Sequence, residues 1–168
     1  LENRYLDILN INEEIAGMGS WEFDVETSEM LWTPNLYKIH GFNQSDFEPK
    51  SSTHIEKSLN CYHPDDVPIL HDAFEKIISH QIPYNLELRF TPVGRETIWI
   101  RAMAKPVVKD SKTVKIVGNL IDINNQKNAE IELRESEERF KSLTKASSGG
   151  IGMHDQGILL DCNDELCR

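Results

Sequence analysis

The stretch Val117-Gly-Asn-Leu-Ile-Asp-Ile-Asn-Asn-Gln-Lys127 marks a change from strand to helix. Between Val114 and Ile123, valine and isoleucine are frequent and proline does not occur, which favours a largely buried strand. After Asn124 the β-branched residues nearly vanish in favour of Glu, Lys, Arg, Ala and Leu, which favour a helix. Asn124 is a good N-cap residue, because its side-chain oxygen can accept hydrogen bonds from the first free N–H groups of a helix. We therefore expect a strand that continues directly into a helix.

The predicted helix carries a narrow stripe of residues at alternating steps of three and four. Its members are Gln126, Ala129, Leu133, Ser136, Phe140 and Leu143. Such a seven-residue repeat is typical of helices that pair with a second helix. Because the stripe includes Gln, Ala and Ser, we expect a weakly held, adjustable dimer and not a permanent coiled coil. A stiff helix that continues a strand can also transmit a conformational change.

Composition limits the classes of partner. The chain has 168 residues, 39% of them hydrophobic, and a net charge of −10. This acidic balance argues against nucleic acid and anionic membrane as partners, because both require clusters of Lys and Arg. There is neither an apolar run of about 18 residues nor a basic and apolar leader, and the ends of the chain suggest a piece of a longer polypeptide. Three cysteines without metal-ligand spacing indicate reduced thiols in the cytoplasm.

Periodicity predicts the remaining elements. Residues 1–16 form an amphipathic lead-in helix, residues 21–25 and 30–32 form a hairpin, and a short helix runs from Pro34 to Gly41. A longer helix follows from Pro64 to Pro83, with Asp65 and Asp66 at its positive end. Strands at 85–90, 97–104 and 114–123 are joined by turns, so they form an antiparallel meander. The chain is thus predicted to be an α+β protein, with a five-stranded antiparallel sheet and helices on one face.

Several phrases together resemble a PAS domain with its C-terminal PAC segment. They are Gly19-Ser-Trp-Glu-Phe-Asp24, Trp32-Thr33, His63-Pro-Asp-Asp66, the hairpin from Gly94 to Ile100, and Gly118 followed by Asp122-Ile-Asn124 and Lys127. The resemblance covers about residues 16–127, and Asn124 stands where the family most often has threonine. It implies a sheet and a helical flank that enclose a small cavity. It also implies a module that senses small molecules, light or redox state, or that dimerises, and that signals to a kinase or cyclase.

An internal echo predicts a second copy. The phrase Gly17-Met-Gly-Ser-Trp-Glu22 is answered by Gly150-Ile-Gly-Met-His-Asp155, at an offset of about 130 residues. Chance similarity of short glycine-bearing hairpins is the alternative. We divide the chain into a lead-in helix at 1–16, a PAS/PAC sensor domain at 17–124, a linker (signalling) helix at 125–146 and the truncated start of a second PAS domain at 147–168.

Strand alternation selects the candidate cavity lining. It places Ile98, Ile100, Ala102 and Ala104 on one face of their strand, which should face the helices. Ala102 and Ala104, with Gly118 nearby, are small enough to leave room for an organic acid or a small ring, although a closely packed helix would explain them equally. The candidate lining is therefore Ile98, Ile100, Ala102 and Gly118.

The opposite face of the same strand carries Trp99 and Met103. Side by side on an exposed sheet they would form an apolar patch that soluble monomers usually avoid. We expect residues 1–15 to cover this patch, from the same chain or from a second copy. The predicted partners are accordingly a homodimer mate, held through the lead-in helix, the outer sheet face and the linker helix, and an effector domain further along the polypeptide.

The cofactor candidates are few. His71 and His80 on the long helix could ligate haem iron, but exposed helix histidines are far more common than haem ligands. A flavin photoadduct needs a Gly-x-Asn-Cys-Arg-Phe-Leu phrase, and here Asn60-Cys61 is followed by Tyr62-His63. The cluster His63-Pro-Asp-Asp66 lies at a helix start, where carboxylates are expected without a metal. The sequence thus favours neither haem, flavin nor metal and leaves any ligand unknown.

Neither a nucleophile elbow, a zinc-protease motif, a phosphate-binding loop nor a dinucleotide fingerprint occurs in the sequence, so the fragment is not expected to be an enzyme. The predicted function is a sensory module of a bacterial or archaeal signal-transduction protein, in the first place a sensor histidine kinase. The alternatives are a module of a diguanylate cyclase or phosphodiesterase and a ligand-free dimerisation scaffold. By the family pattern, the relay residues are Asp122, Asn124 and Lys127, with an ionic clasp between Asp122 and Lys127.

Overall fold

The computed structural model describes residues 2–47, 53–146, 149, 152–156, 158–162 and 166. In chain order the elements are α1 (Glu2–Ile15), β1 (Met18–Asp24), β2 (Met30–Trp32), α2 (Pro34–His40), a 3₁₀ turn (Gln44–Asp46), α3 (Thr53–Leu59), α4 (Val67–His80), β3 (Tyr84–Phe90), β4 (Ile98–Lys109), β5 (Lys112–Asp122), α5 (Asn124–Ala146), β6 (Gly152–Asp155) and β7 (Ile158–Cys162). The chain divides into two compact units, 1–124 and 125–168.

The first unit is built on a five-stranded sheet with the order β2-β1-β5-β4-β3. Every neighbouring pair of strands is antiparallel, so the predicted α+β fold and the meander of the last three strands are confirmed. The last strand of the meander lies in the centre of the sheet. It joins the N-terminal hairpin to the meander, because β5 pairs with both β1 and β4.

The register agrees with the predicted alternation. Ile100, Ala102 and Ala104 are buried on the face that carries the helices, whereas Trp99 and Met103 are half-buried on the other face. Strand β4 continues to Lys109, beyond the predicted end at residue 104. Pairing with β3 stops at Tyr84 and Ala104, so the rest of β4 has an open edge, where proline is tolerated in a strand.

Helix α4 begins later than the proline signal predicts. Pro64 lies in a turn, and the helix starts at Val67 with Pro68 in its first turn. Asp66 is the N-cap residue by position, but its side chain makes no cap hydrogen bond. It accepts instead from Arg89 of β3, and this long-range partner draws the carboxylate away from the helix end.

Helix α1 confirms the predicted lead-in helix but buries little of its apolar surface. Its C-terminal end packs against β1 and α2, where Asn35 donates a hydrogen bond to the carbonyl of Glu13 at 3.3 Å and Glu14 pairs with Lys38 at 3.1 Å. The apolar side chains of α1 nevertheless remain exposed, namely Tyr5, Leu6, Ile8, Leu9, Ile11 and Ile15. Helix α1 is therefore fastened at one end and has an unpartnered apolar surface.

The second unit contains most of α5 and an antiparallel hairpin of β6 and β7. Leu133, Phe140 and Leu143 of the predicted stripe are exposed. The assignment of residues 147–168 to a second PAS domain stays a prediction, and residues 147, 148, 150, 151, 157, 163–165, 167 and 168 lie outside the described part of the chain. Among the described helices, none is long and apolar enough to cross a membrane.

Candidate functional site

A cavity of about 340 Å³ lies between the sheet and helices α2, α3 and α4. This volume is within the range of small-molecule sites, roughly 300–1,000 Å³. The lining is rich in aromatic and aliphatic side chains: Trp21, Met30, Trp32, Leu36, His40, Ile55, Ser58, Leu59, Tyr62, Leu70, His71, Phe74, Tyr84, Ala102 and Leu120. No Asp, Glu, Lys or Arg is among these described lining residues.

Small residues of the central strands shape the floor of the cavity. Ala102 of β4 lies opposite Leu120 of β5, and both line the cavity. Gly118 acts differently, because a Cβ atom there would overlap the indole ring of Trp21. The ring occupies the space that the missing side chain leaves. Ala102 therefore leaves space above the floor of the cavity, whereas Gly118 allows the Trp21 ring to approach β5 closely.

The polar end of the cavity is organised by His40, which is completely buried. Its Nδ1 lies 2.9 Å from the carbonyl oxygen of Leu36, and its Nε2 lies 2.9 Å from Ser58 Oγ. Because a carbonyl can only accept, Nδ1 carries the proton, and Nε2 accepts from the hydroxyl of Ser58. Burial lowers the pKa of His40 to about 4, so the ring is neutral near pH 7. Trp32 stacks on this ring at a centroid distance of 4.3 Å.

Two tyrosines complete the polar end. Burial raises the pKa of Tyr62 and of Tyr84, so both phenols stay protonated. The two hydroxyls are close enough to influence each other electrostatically, and Ser58 lies near the hydroxyl of Tyr62. Among the described residues, no group receives a hydrogen bond from the hydroxyl of Tyr84. The cavity thus offers a hydroxyl donor with unused capacity.

The four predicted cavity residues lie in different places. Ala102 lines the cavity. Ile100 is fully buried in the core, and Gly118 lies beneath Trp21, so neither contributes to the described lining. Ile98 lines a separate polar depression of about 210 Å³ at the end of α1. The residues that the sequence did not single out are His40, Ser58 and the two tyrosines. The available signal was the position of His40 in the last turn of the predicted short helix, where its ring can bond the backbone carbonyl four residues earlier, that of Leu36.

The two histidines considered as haem ligands, and not favoured, lie in different places. His71 lines the cavity, but its side chain is largely exposed and lies 3.8 Å from Glu75. His80 is exposed, bonds Ser79 and lies outside the lining. Cys61 is buried, and its thiol donates to the carbonyl of Lys57 at 3.4 Å. Burial raises the pKa of this thiol, and Cys61 does not belong to the described lining.

The cluster of His63, Asp65 and Asp66, which the sequence did not favour as a metal site, surrounds an arginine. Arg89 binds Asp66 through its backbone N–H at 2.8 Å, its Nε at 3.0 Å and its second guanidinium nitrogen at 2.6 Å. These hydrogen bonds lower the pKa of Asp66. His63 and Asp65 lie 3.6 Å apart at the edge of the same turn. In the described part of the chain, no group of three His, Cys, Asp or Glu side chains is arranged to hold a metal.

The joint between β5 and α5 is held by side chains whose roles differ from the prediction. Asp122 Oδ1 accepts from the backbone N–H of Asn124 at 2.9 Å, so the aspartate satisfies the first helical residue. Asn124 is inside the helix, and its Oδ1 accepts from the N–H of Trp99 at 3.3 Å. The side-chain oxygen of Asn124, which was expected to cap the helix, thus accepts a hydrogen bond from strand β4 instead. Lys127 pairs with Glu130 at 3.5 Å, and its clasp with Asp122 stays a prediction.

A family model described as the PAS fold matches residues 29–120, more than half of the chain. The chain belongs to the PAS family. Among curated proteins, this PAS chain is 24% identical over 128 residues to the sensor protein FixL of Bradyrhizobium diazoefficiens. The match covers 76% of the PAS chain and 24% of FixL, so the chain spans about a quarter of that relative.

Solved PAS structures share the fold. A sensory box histidine kinase/response regulator from Burkholderia thailandensis superposes with a TM-score of 0.64 at 21% identity, over 80% of this chain and 98% of that one. The N-terminal domain of a diguanylate cyclase with a PAS/PAC sensor from Marinobacter aquaeolei has a TM-score of 0.55 at 18% identity, over 65% of this chain and 97% of that one. These likenesses confirm the predicted PAS fold, and the chain carries a PAS sensory module.

Proposed function

We propose that this PAS domain binds a small ligand in the cavity and relays its occupancy through α5 to an effector, in the first place a histidine kinase. The observation that carries the proposal is the cavity of about 340 Å³, with apolar walls and one organised polar end. A ligand there would contact β4 and β5 through Ala102 and Leu120. The kinase assignment rests on the sensor protein and the histidine kinase among the relatives.

The relay is proposed to run through the end of β5. Leu120 lines the cavity, and Asp122 lies two residues further along the same strand. The backbone N–H of Asp122 donates to the carbonyl of Gly17 at 3.2 Å, and Asn124 receives a hydrogen bond from Trp99. A small displacement of β5 would therefore act on the end of α1, on β4 and on the first turn of α5 together.

A homodimer is proposed through α1, the outer face of the sheet and α5. The support is the exposed apolar surface of α1 together with Leu133, Phe140 and Leu143. Deletion of residues 1–15 should change the oligomeric state measured by light scattering. A truncated protein with the same number of subunits and the same melting temperature as the parent would contradict this interface. The free thiols of Cys61 and Cys162 support a cytoplasmic location for the parent protein.

Two alternatives keep the PAS module but change its partner or its ligand. A diguanylate cyclase is supported by the relative that carries a PAS/PAC sensor at its N-terminus. A ligand-free dimerisation scaffold is supported by the unpartnered surface of α1. The scaffold predicts that filling the cavity leaves the output of the effector unchanged.

The test combines ligand release with cavity filling. Mass spectrometry of the denatured protein should detect a released small molecule. In the full-length parent, Ala102→Leu should change effector output, because the larger side chain enters the cavity. The matched control is Ala104→Val, a buried neighbour on the same face that lies outside the described lining and should only lower stability by about 1–3 kcal/mol. Unchanged output with Ala102→Leu and no released molecule would refute the ligand-binding function.

A further inference from the structure

Building on the proposed function, we infer that the cavity takes an uncharged aromatic ligand that presents a hydrogen-bond acceptor to Tyr84. The class would exclude carboxylates, phosphates and ammonium compounds. It follows from three features of the described lining: its charge, its unused donor and the shape of its walls.

The described lining has no acidic or strongly basic side chain that could pair with an ionic ligand. The described lining lacks Asp, Glu, Lys and Arg, and its histidine at the polar end is neutral and already bonded on both ring nitrogens. Arg89 directly precedes Phe90, the bridge partner of Tyr62, and it is already bound to both carboxylate oxygens of Asp66. An ionised ligand would lose its hydration without gaining a counter-ion, which is strongly unfavourable in an apolar site.

His71 is the remaining titratable lining residue to consider. Its side chain is 68% exposed and lies 3.8 Å from Glu75 on the same helix. It therefore lies where the cavity meets the surface and not at the polar end. The acidic neighbour would also oppose the approach of an anion at this rim.

The hydroxyl of Tyr84 determines which polar group the ligand should carry. The proton of Ser58 is committed to Nε2 of His40, whereas the hydroxyl of Tyr84 has no described acceptor. Tyr84 lines the cavity, and its hydroxyl would gain a hydrogen bond from a ligand oxygen or ring nitrogen placed against it. A carbonyl, an ether or a ring nitrogen fits this requirement without introducing charge.

The walls favour a flat ring. Trp21 and Phe74 lie with centroids 6.4 Å apart at the cavity, and Tyr62 and Trp32 add two more ring systems. Aromatic walls bind ring systems through stacked or edge-to-face contacts. Trp32 already stacks on His40, so the ring contacts available to a ligand come mainly from the other walls.

Three probes with the same ring system separate these features. They are 2-acetylnaphthalene, which is neutral with a carbonyl acceptor, 2-naphthoate, which is an anion, and 2-ethylnaphthalene, which has no acceptor. Binding to the protein, after removal of any released molecule, is measured by calorimetry and by quenching of tryptophan fluorescence. We expect 2-acetylnaphthalene to bind about tenfold more tightly than 2-ethylnaphthalene and 2-naphthoate to bind most weakly.

The variant Tyr84→Phe should abolish the tenfold preference for the acetyl compound and leave the ethyl compound unaffected. The control is Tyr37→Phe, because Tyr37 is a buried tyrosine bonded to His54 outside the described lining. It should leave both affinities unchanged. If Tyr84→Phe kept the same preference for 2-acetylnaphthalene over 2-ethylnaphthalene as the parent, the assignment of Tyr84 as the donor would be overturned.

Failure of this ligand class and failure of the proposed function give different results. Tighter binding of 2-naphthoate, or no binding by any probe while Ala102→Leu still alters effector output, would overturn the class and leave ligand sensing intact. No binding by any probe together with unchanged output in Ala102→Leu would remove both.

Discussion

The buried imidazole of His40 should make the domain sensitive to mild acid. Its folded pKa is about 4, against 6.5 for the free side chain, because burial disfavours the charged ring. Near pH 8 the ring is neutral in both states, and its titration does not affect stability. As the pH falls below that value, the unfolded chain takes up the proton and the folded chain does not, so stability is lost until about pH 4.

The expected loss follows from the shift. The full difference corresponds to roughly 3 kcal/mol, and about 2 kcal/mol of it falls between about pH 8 and pH 5. That loss should lower the melting temperature by roughly 6–10 °C for a domain of this size. The assay is thermal unfolding followed by circular dichroism across this range, with urea unfolding at each end to obtain free energies.

The variant His40→Phe isolates this contribution. Phenylalanine keeps an aromatic ring beside Trp32 but cannot titrate, so stability between pH 6.5 and 5 should fall less steeply, even though the variant is less stable at pH 8. His54, a second buried histidine that helps to lower the pKa of His40, is unchanged in this variant. A pH profile in His40→Phe with the same slope as the parent would refute the reasoning.

Three further outcomes test the packing and the relay. Gly118→Ala should destabilise the fold by about 1–3 kcal/mol in urea unfolding, because its Cβ would overlap the Trp21 ring, and a neutral effect would contradict that packing. Asp66→Ala should cost roughly 2–3 kcal/mol, because it removes the acceptor of three hydrogen bonds from Arg89 and leaves that arginine only the exposed Asp65 at 3.5 Å. Asp65→Ala should change stability by less than about 0.5 kcal/mol. Asp122→Ala in the full-length parent should alter effector output at a stability cost of about 1 kcal/mol, and output that merely follows the melting temperature would contradict a relay role.

The cavity shows where sequence reasoning reached its limit. Alternation along β4 placed Ala102 on the inner face, and the structure agrees. The same argument selected Gly118 as a source of space, although the Trp21 ring fills that space from the neighbouring strand β1. Residue size is visible in a sequence, but the side chain that occupies the resulting gap comes from a residue almost a hundred positions away.

The sequence by itself determined the element order, the antiparallel meander and the inner and outer faces of β4, because each depends on local periodicity and on turn residues. It also indicated the family, through the resemblance of several short phrases. Only the tertiary structure decided which polar groups meet. Asp66 was expected at a helix end and instead binds Arg89, and Asn124 was expected to cap α5 and instead accepts from Trp99. In both cases a nearby donor from another strand competes with the local helix N–H groups. Such competition depends on distances between residues that are far apart in the chain, and these exist only once the sheet has formed.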